Sequence, residues 1–409
     1  MKRTQSALPS IIGCIALQLC VGVVYMWSVF KLDIVKSFDW SVGPANMVSS
    51  YMTLLFVIGN LAGGLICDSK GPKFTATLGI CIFAAGIGST ALLNAGTITL
   101  IYATYSVVAG FGVGLTYAAC LNCMQKWLPH RRGLATGMAV GAFGFSTVIL
   151  APAATGLMNR FRTDGVVNFM PVFLILAGVL LAVGLLSCIF VKLPTAQYVD
   201  ALSKPSEKGR IISSRRDYKF SETIRTPLYW AVFFAMFFIN GTWNLSVPII
   251  KDLGMARGLS ETLAVLAVSI AGVASSCGRL LMSAVSDKIG RISALMSMAA
   301  VTLICAVLMT FITSYAFIAV IAIIAFAFGG PAGIFPAACT DFFGSKHSGA
   351  NYGFVMLSLG LSSVFFNFVS SAFLSGNVVQ TYIMAAVSAA LSLAAMLLIG
   401  AFSKRLQSE

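Results

Sequence analysis

The sequence predicts an all-α membrane protein with twelve transmembrane helices in two six-helix, pseudo-symmetric halves. Three observations carry that prediction: the composition, twelve long apolar runs, and a loop motif that occurs twice. Of 409 residues 58% are hydrophobic and 10% charged, with a mean hydropathy of +0.92. Soluble domains hold about 45–50% apolar and about 25% charged residues, so this chain belongs in a bilayer.

About 30 Å of hydrocarbon needs roughly 20 helical residues. Runs of that length lie at 8–30, 44–66, 74–94, 97–124, 132–158 and 168–193, then at 227–250, 261–285, 292–313, 315–342, 349–374 and 377–402. The first follows Met1-Lys2-Arg3 and continues through Trp27-Ser28-Val29-Phe30. It is too long for a signal-peptide core and lacks a clean small-residue cleavage site, so it is expected to be a retained helix. The second and third runs are separated by a polar turn around Asp68, and the eighth and ninth by one around Asp287. The fourth and fifth carry the glycine-rich segments Gly110-x-Gly112-x-Gly114 and Gly141-Ala142-Phe143-Gly144. These serve either as hinges for alternating access or as close helix contacts, and with no strand before them they are not nucleotide fingerprints. Residues 194–226 form a charged linker with room for one short helix, and Thr226-Pro227 reads as the cap and first position of the seventh helix. The expected organisation is therefore an N-terminal bundle at 1–193, a linker at 194–226 and a C-terminal bundle at 227–409.

Basic residues orient the chain. With both termini cytoplasmic, six of the 27 Lys and Arg fall in outside loops (Lys31, Lys36, Arg160, Arg162, Lys251, Arg257), twenty fall inside, and Arg279 remains. That asymmetry follows the positive-inside rule and accounts for the formal charge of +14. The charges lie at loop ends facing anionic lipid, so the bilayer is the expected partner and nucleic acid is not.

Arg279 lies inside the eighth run. The 13 Asp and Glu occupy loops or helix ends. An unpaired Arg at the centre of a span costs at least about 2.5–3.5 kcal/mol, so it is expected to line a polar path for a substrate or ion. The other reading is a side chain that snorkels to the surface or packs on helix carbonyls. Gly272, Ser275, Ser276, Ser283 and Ser286 stand three, four or seven positions from Arg279 or from one another and make a small polar stripe. Such a stripe suits a cavity wall and close helix packing alike.

The duplicated motif reads Gly64-Leu65-Ile66-Cys67-Asp68-Ser69-Lys70-Gly71-Pro72-Lys73 and Ser283-Ala284-Val285-Ser286-Asp287-Lys288-Ile289-Gly290-Arg291. A repeat of this kind marks a doubled six-helix unit with a site between its halves. Asp68, Lys73, Asp287, Lys288 and Arg291 are then candidates for contacts that form and release as the halves rock.

Here the sequence resembles the major facilitator superfamily, whose signature is Gly-x-x-x-Asp-(Arg/Lys)-x-Gly-x-(Arg/Lys). Ser69 and Ser283 depart from it. The stretches "GVVYMWSVF", "AGFGVGLTYAACLNCMQKWLPHRRGLATG", "TIRTPLYW", "CGRLLMSAVSDKIGR", "FAFGGPAGIFPAACTDFFG" and "NYGF" narrow the resemblance to the oxalate/formate antiporter family and its bacterial lactate and pyruvate relatives. The resemblance implies that Arg279 binds the substrate carboxylate, with Tyr25 and Tyr117 as an aromatic, hydroxyl-bearing wall and Phe328 and Phe335 as facing aromatics. For each aromatic alone, core or lipid packing is the competing reading. Oxalate transporters of this family carry a second cation where this chain has Leu359 and a tyrosine where it has Ala332. One cation suits one carboxylate, because a second would leave a charge to be desolvated unpaired.

The expected substrate is a small monocarboxylate such as lactate, pyruvate or a similar 2-hydroxy or 2-keto acid, carried with a proton; anion exchange is the alternative. The expected location is the bacterial cytoplasmic membrane, multi-pass, as a monomer. No cofactor, metal or catalytic residue is expected. The one Cys-x-x-Cys, Cys120 to Cys123, has no second pair for zinc, and His130 and His347 stand alone near helix ends. A carboxylate receptor would need a signalling domain, and a membrane enzyme would need paired acids or a His cluster within the spans.

Overall fold

Hydrocarbon gives a backbone N–H or C=O no partner, so an apolar run must close its hydrogen bonds within itself as a helix. The computed structural model describes residues 6–94, 96–195, 198, 216–246, 250–312, 315–370 and 378–408. Among them are eleven helices long and apolar enough to cross a membrane and one shorter apolar helix, Leu8–Val21. In chain order the helices are α1 (Leu8–Val21), α2 (Trp27–Ser37), α3 (Val42–Lys70), α4 (Pro72–Ser89), α5 (Gly110–Trp127), α6 (Arg132–Arg160), α7 (Phe169–Phe190), α8 (Phe220–Thr223), α9 (Pro227–Ser246), α10 (Ile250–Ala256), α11 (Glu261–Ile289), α12 (Arg291–Leu308), α13 (Ala316–Phe343), α14 (Ser348–Val369) and α15 (Val378–Ser408). This is an all-α, multi-pass membrane protein.

The first expected span is interrupted. Its α-ladder tightens into a 3-10 turn at Gly22–Met26 before resuming as α2. Gly22 lies on the Phe143 carbonyl and the Ser146 side chain, where a Cβ would collide. The Val23 carbonyl accepts the Tyr105 hydroxyl at 3.4 Å, while Ser146 Oγ donates to the Leu19 carbonyl at 2.6 Å. The fourth span likewise opens with a π-helical turn at Tyr102–Ala109 ahead of α5. Between α6 and α7 the chain makes a hairpin, β1 (Arg162–Thr163) against antiparallel β2 (Val166–Val167). Asp164 and Gly165 turn it with φ of 51° and 79°, the signs a type I′ turn demands.

The duplicated motif has a duplicated structure. Helix α3 runs 29 residues, turns at Gly71 with φ 84° and gives way to an 18-residue α4. Helix α11 also runs 29 residues, turns at Gly290 with φ 93° and gives way to an 18-residue α12. Positive φ at both corners explains the glycine in each copy.

The chain divides into two compact units, Met1–Trp127 with Ala142–Leu202, and Leu128–Gly141 with Ser203–Glu409. In the first, glycines of α5 take backbone contacts: Gly110 lies on Met52, Gly112 on Phe83 and Gly79, and Gly114 on Asn60 and Phe56. In the second, Gly278 meets the Phe326 carbonyl, Gly329 the Ser275 carbonyl and Gly333 the Ser283 hydroxyl, which draws α11 and α13 together. Lipid supplies little drive for helix association, so close contact between small residues contributes much of it.

Residues 216–226 of the linker are docked on the second unit. Tyr218 N–H donates to the Phe343 carbonyl at 2.9 Å, and the Asn351 amide donates to the Tyr218 carbonyl at 3.0 Å. Phe220 stacks on Phe354 with centroids 3.5 Å apart. In the short α8 the Lys219 N–H and then the Arg216 guanidinium lower the pKa of the Glu222 carboxyl. Thr226 Oγ1 accepts the Tyr229 N–H at 3.2 Å and Pro227 opens α9, as the Thr-Pro pair predicts.

Replacing Gly329 by Leu is expected to push α13 off α11 and to lower the melting temperature of detergent-purified protein by several degrees. Gly156→Leu is the control, since nothing lies within 4 Å of a Cβ there, and it should melt near wild type.

Candidate functional site

In the second unit the α11–α13 contact is centred on Arg279, which is 6% exposed. The guanidinium is therefore enclosed by protein rather than spread over the lipid-facing surface. Gly329 lies on the backbone N of Arg279, and Gly333 and Gly137 on its carbonyl. That carbonyl also accepts Ser283 Oγ at 2.5 Å.

The polar stripe resolves into members with different work. Ser276 donates to the Gly272 carbonyl at 3.1 Å, and Ser286 to the Ser283 carbonyl at 2.6 Å. Gly272 is exposed, with nothing near a Cβ there. Ser275, one helical turn before Arg279, is buried and its hydroxyl makes no hydrogen bond. A buried hydroxyl left unsatisfied costs about 1–3 kcal/mol, and Ser275 carries that cost on the same helix face as Arg279.

Phe328 and Ala332 stand one turn apart on α13 and both are half-buried. The ring of Trp243 on α9 stacks on Phe328 with centroids 4.9 Å apart and planes at 13°. Sequence reasoning missed Trp243, because a single Trp in an apolar helix carries no period. Leu359 of α14 is half-buried, whereas Phe335 is 1% exposed and packed in the core of this unit.

In the first unit Tyr117 is 3% exposed and meets Phe56 and Phe143 edge-on, at 5.2 and 5.3 Å between centroids. The backbone of Tyr25 lies in the 3-10 turn, and its side chain lies outside the described residues.

The candidate conformational residues separate sharply. Asp287 accepts the N–H groups of Gly133 and Leu134 at 2.9 and 2.8 Å, capping the N-terminus of α6, and pairs with Arg291 at 2.7 Å. Arg291 also pairs with Asp341 at 2.8 Å and donates to Ser286 Oγ at 2.6 Å. Arg132 closes the group, 2.7 Å from Asp341. Two arginines thus face two aspartates with little access to water. In the first repeat Asp68 accepts the Asn122 amide at 3.4 Å. Lys73 and Lys288 are exposed.

Arg132 and Asp341 were missing from the motif-based set. A signal existed: Asn122 follows Asp68 by 54 residues, and Asp341 follows Asp287 by the same interval. Among the described residues no group of three or more His, Cys, Asp or Glu could hold a metal ion.

Comparison with known proteins agrees with this architecture. The chain is 28% identical over 352 residues to the oxalate:formate antiporter of Oxalobacter formigenes, covering 84% of this chain and 79% of that one. It is 21% identical to apicoplast pyruvate carrier 1 of Toxoplasma gondii, covering 93% and 85% of the two chains. In fold it matches the E. coli fucose:proton symporter with a TM-score of 0.71 at 13% identity, over 97% of this chain and 99% of that one. Residues 12–367 match the family model for the Major Facilitator Superfamily, and the chain belongs to that superfamily of transporters.

Proposed function

We propose that this protein is a secondary transporter of small monocarboxylates, lactate, pyruvate or similar 2-hydroxy and 2-keto acids, in the bacterial cytoplasmic membrane with both termini inside. The observation that carries the reading is the enclosed Arg279 with the unbonded Ser275 hydroxyl one turn away. A planar guanidinium grips a carboxylate through two parallel N–H bonds, about twice as strong as neutral ones. The stacked Trp243 and Phe328 supply an apolar surface for a short carbon chain. Leu359 and Ala332, where the oxalate carriers' pattern has a cation and a tyrosine, favour one carboxylate over two. Support also comes from the similarity to an oxalate:formate antiporter and an apicoplast pyruvate carrier.

Proton symport is the preferred coupling. With the acids at loops and helix ends, the proton enters with the substrate and neutralises the anion held by Arg279. Anion exchange is the second reading, favoured by the similarity to the oxalate:formate antiporter of Oxalobacter formigenes. The four-charge group of Arg132, Asp287, Arg291 and Asp341 acts as a latch that holds the N-terminus of α6 in one state of the cycle and releases it in another.

Uptake of labelled L-lactate into proteoliposomes should rise with an inward proton gradient and fall at least about tenfold in Arg279→Gln, the scale of losing a charge-assisted hydrogen bond pair. Flux that needs a carboxylate on the far side would establish exchange, and undiminished uptake by the mutant would overturn the role of Arg279. For the latch, Asp341→Asn leaves the buried Arg291 and the half-buried Arg132 under-compensated and should destabilise by about 3–5 kcal/mol, read as a fall in melting temperature. Lys288→Gln, at an exposed position, should melt within about a degree of wild type.

A further inference from the structure

The seam between α9 and α14 holds a polar group that the carboxylate reading does not use. Asn244, next to Trp243, is half-buried and donates from Nδ2 to Ser362 Oγ at 3.4 Å. Ser362 gives its own proton to the Phe237 carbonyl at 2.7 Å. Ser362 can therefore only accept from Asn244, and this fixes which way the amide points. The amide keeps one carbonyl oxygen and one N–H free for a ligand. One turn earlier on α14, Ser358 is fully buried and its hydroxyl is unbonded. Neighbouring helical hydroxyls behave otherwise: Ser246 donates to the Thr242 carbonyl and Ser388 to the Phe238 carbonyl.

A chain of contacts links these groups to the surroundings of Arg279. Trp243 stacks on Phe328, and the next residue, Gly329, lies on the backbone of Ser275 and Arg279. Helix α9 thus touches α13 with one side chain and α14 with the next. Leu359, adjacent to Ser358, brings no charge to this side.

We propose that Asn244, oriented by Ser362 and flanked by the Ser358 hydroxyl, binds the 2-oxygen of the substrate and makes the carrier selective for 2-hydroxy and 2-keto acids over unsubstituted ones. A free N–H serves a keto oxygen, and the N–H with the carbonyl serves a hydroxyl in both senses. A site built to bond an oxygen discriminates against the analogue that lacks it.

The inference rests on the monocarboxylate reading, and the test separates the two. Inhibition of labelled lactate uptake in proteoliposomes is measured with L-lactate, pyruvate and propionate, which lacks the 2-oxygen, for wild type, Asn244→Leu and Ser358→Ala. Wild type should bind lactate and pyruvate more tightly than propionate. Asn244→Leu should erode that preference roughly two- to tenfold, the worth of one neutral hydrogen bond, with propionate unchanged, and Ser358→Ala should erode it less. Should Asn244→Leu fail to fold, Asn244→Ala gives the same readout. An unchanged ratio, or equal weakening of all three acids, overturns the inference while leaving the substrate class standing. If wild type binds none of the three acids, the monocarboxylate reading falls and this inference with it.

Discussion

Hydrocarbon supplies no hydrogen bond, and that constraint decides where every polar group of this chain can go. Backbone groups retire into helices, and most helical hydroxyls donate to a carbonyl one turn back, as Ser246, Ser276 and Ser283 do. Helices deprived of a strong hydrophobic drive approach through glycine, so Gly278, Gly329 and Gly333 place α13 directly on the backbone of α11. The few polar side chains left without such work become conspicuous, and Ser275 and Ser358 are two of them.

Charge follows the same constraint at the helix ends. The second repeat gathers Arg132, Arg291, Asp287 and Asp341 with matched sign, so that each charge is compensated by its neighbours. The first repeat has Asn122 where the second has Asp341, and its Asp68 meets a neutral amide. Two copies of one architecture have thus taken different chemistry. A buried ion pair responds steeply to the loss of one partner.

Much of the fold was legible because hydropathy reports the span and the motif reports the repeat. Apolar run length located the helices, and the positive φ at Gly71 and Gly290 explains why each motif copy carries a glycine. The break in the first span was not legible: it arises from Gly22 lying on Phe143 and Ser146, a contact between residues far apart in sequence. Arg279 announced itself as a charge in an apolar run. Trp243, Asn244 and Arg132 did not, because a stack, a fixed amide and an ion pair between residues far apart in sequence exist only once the helices are packed.

On the proposed reading, counting charges explains the choice of substrate. A dianion facing one guanidinium keeps a carboxylate that must be stripped of water without compensation, and the penalty for that exceeds any gain from added contact. A monoanion leaves no such remainder, and its second functional group needs only a neutral partner. A carboxamide meets that need without a proton equilibrium of its own, so it does not compete for the proton that travels with the substrate. The pairing of one cation with one oriented amide is therefore a consistent solution for a small acid carrying a single charge and one further oxygen.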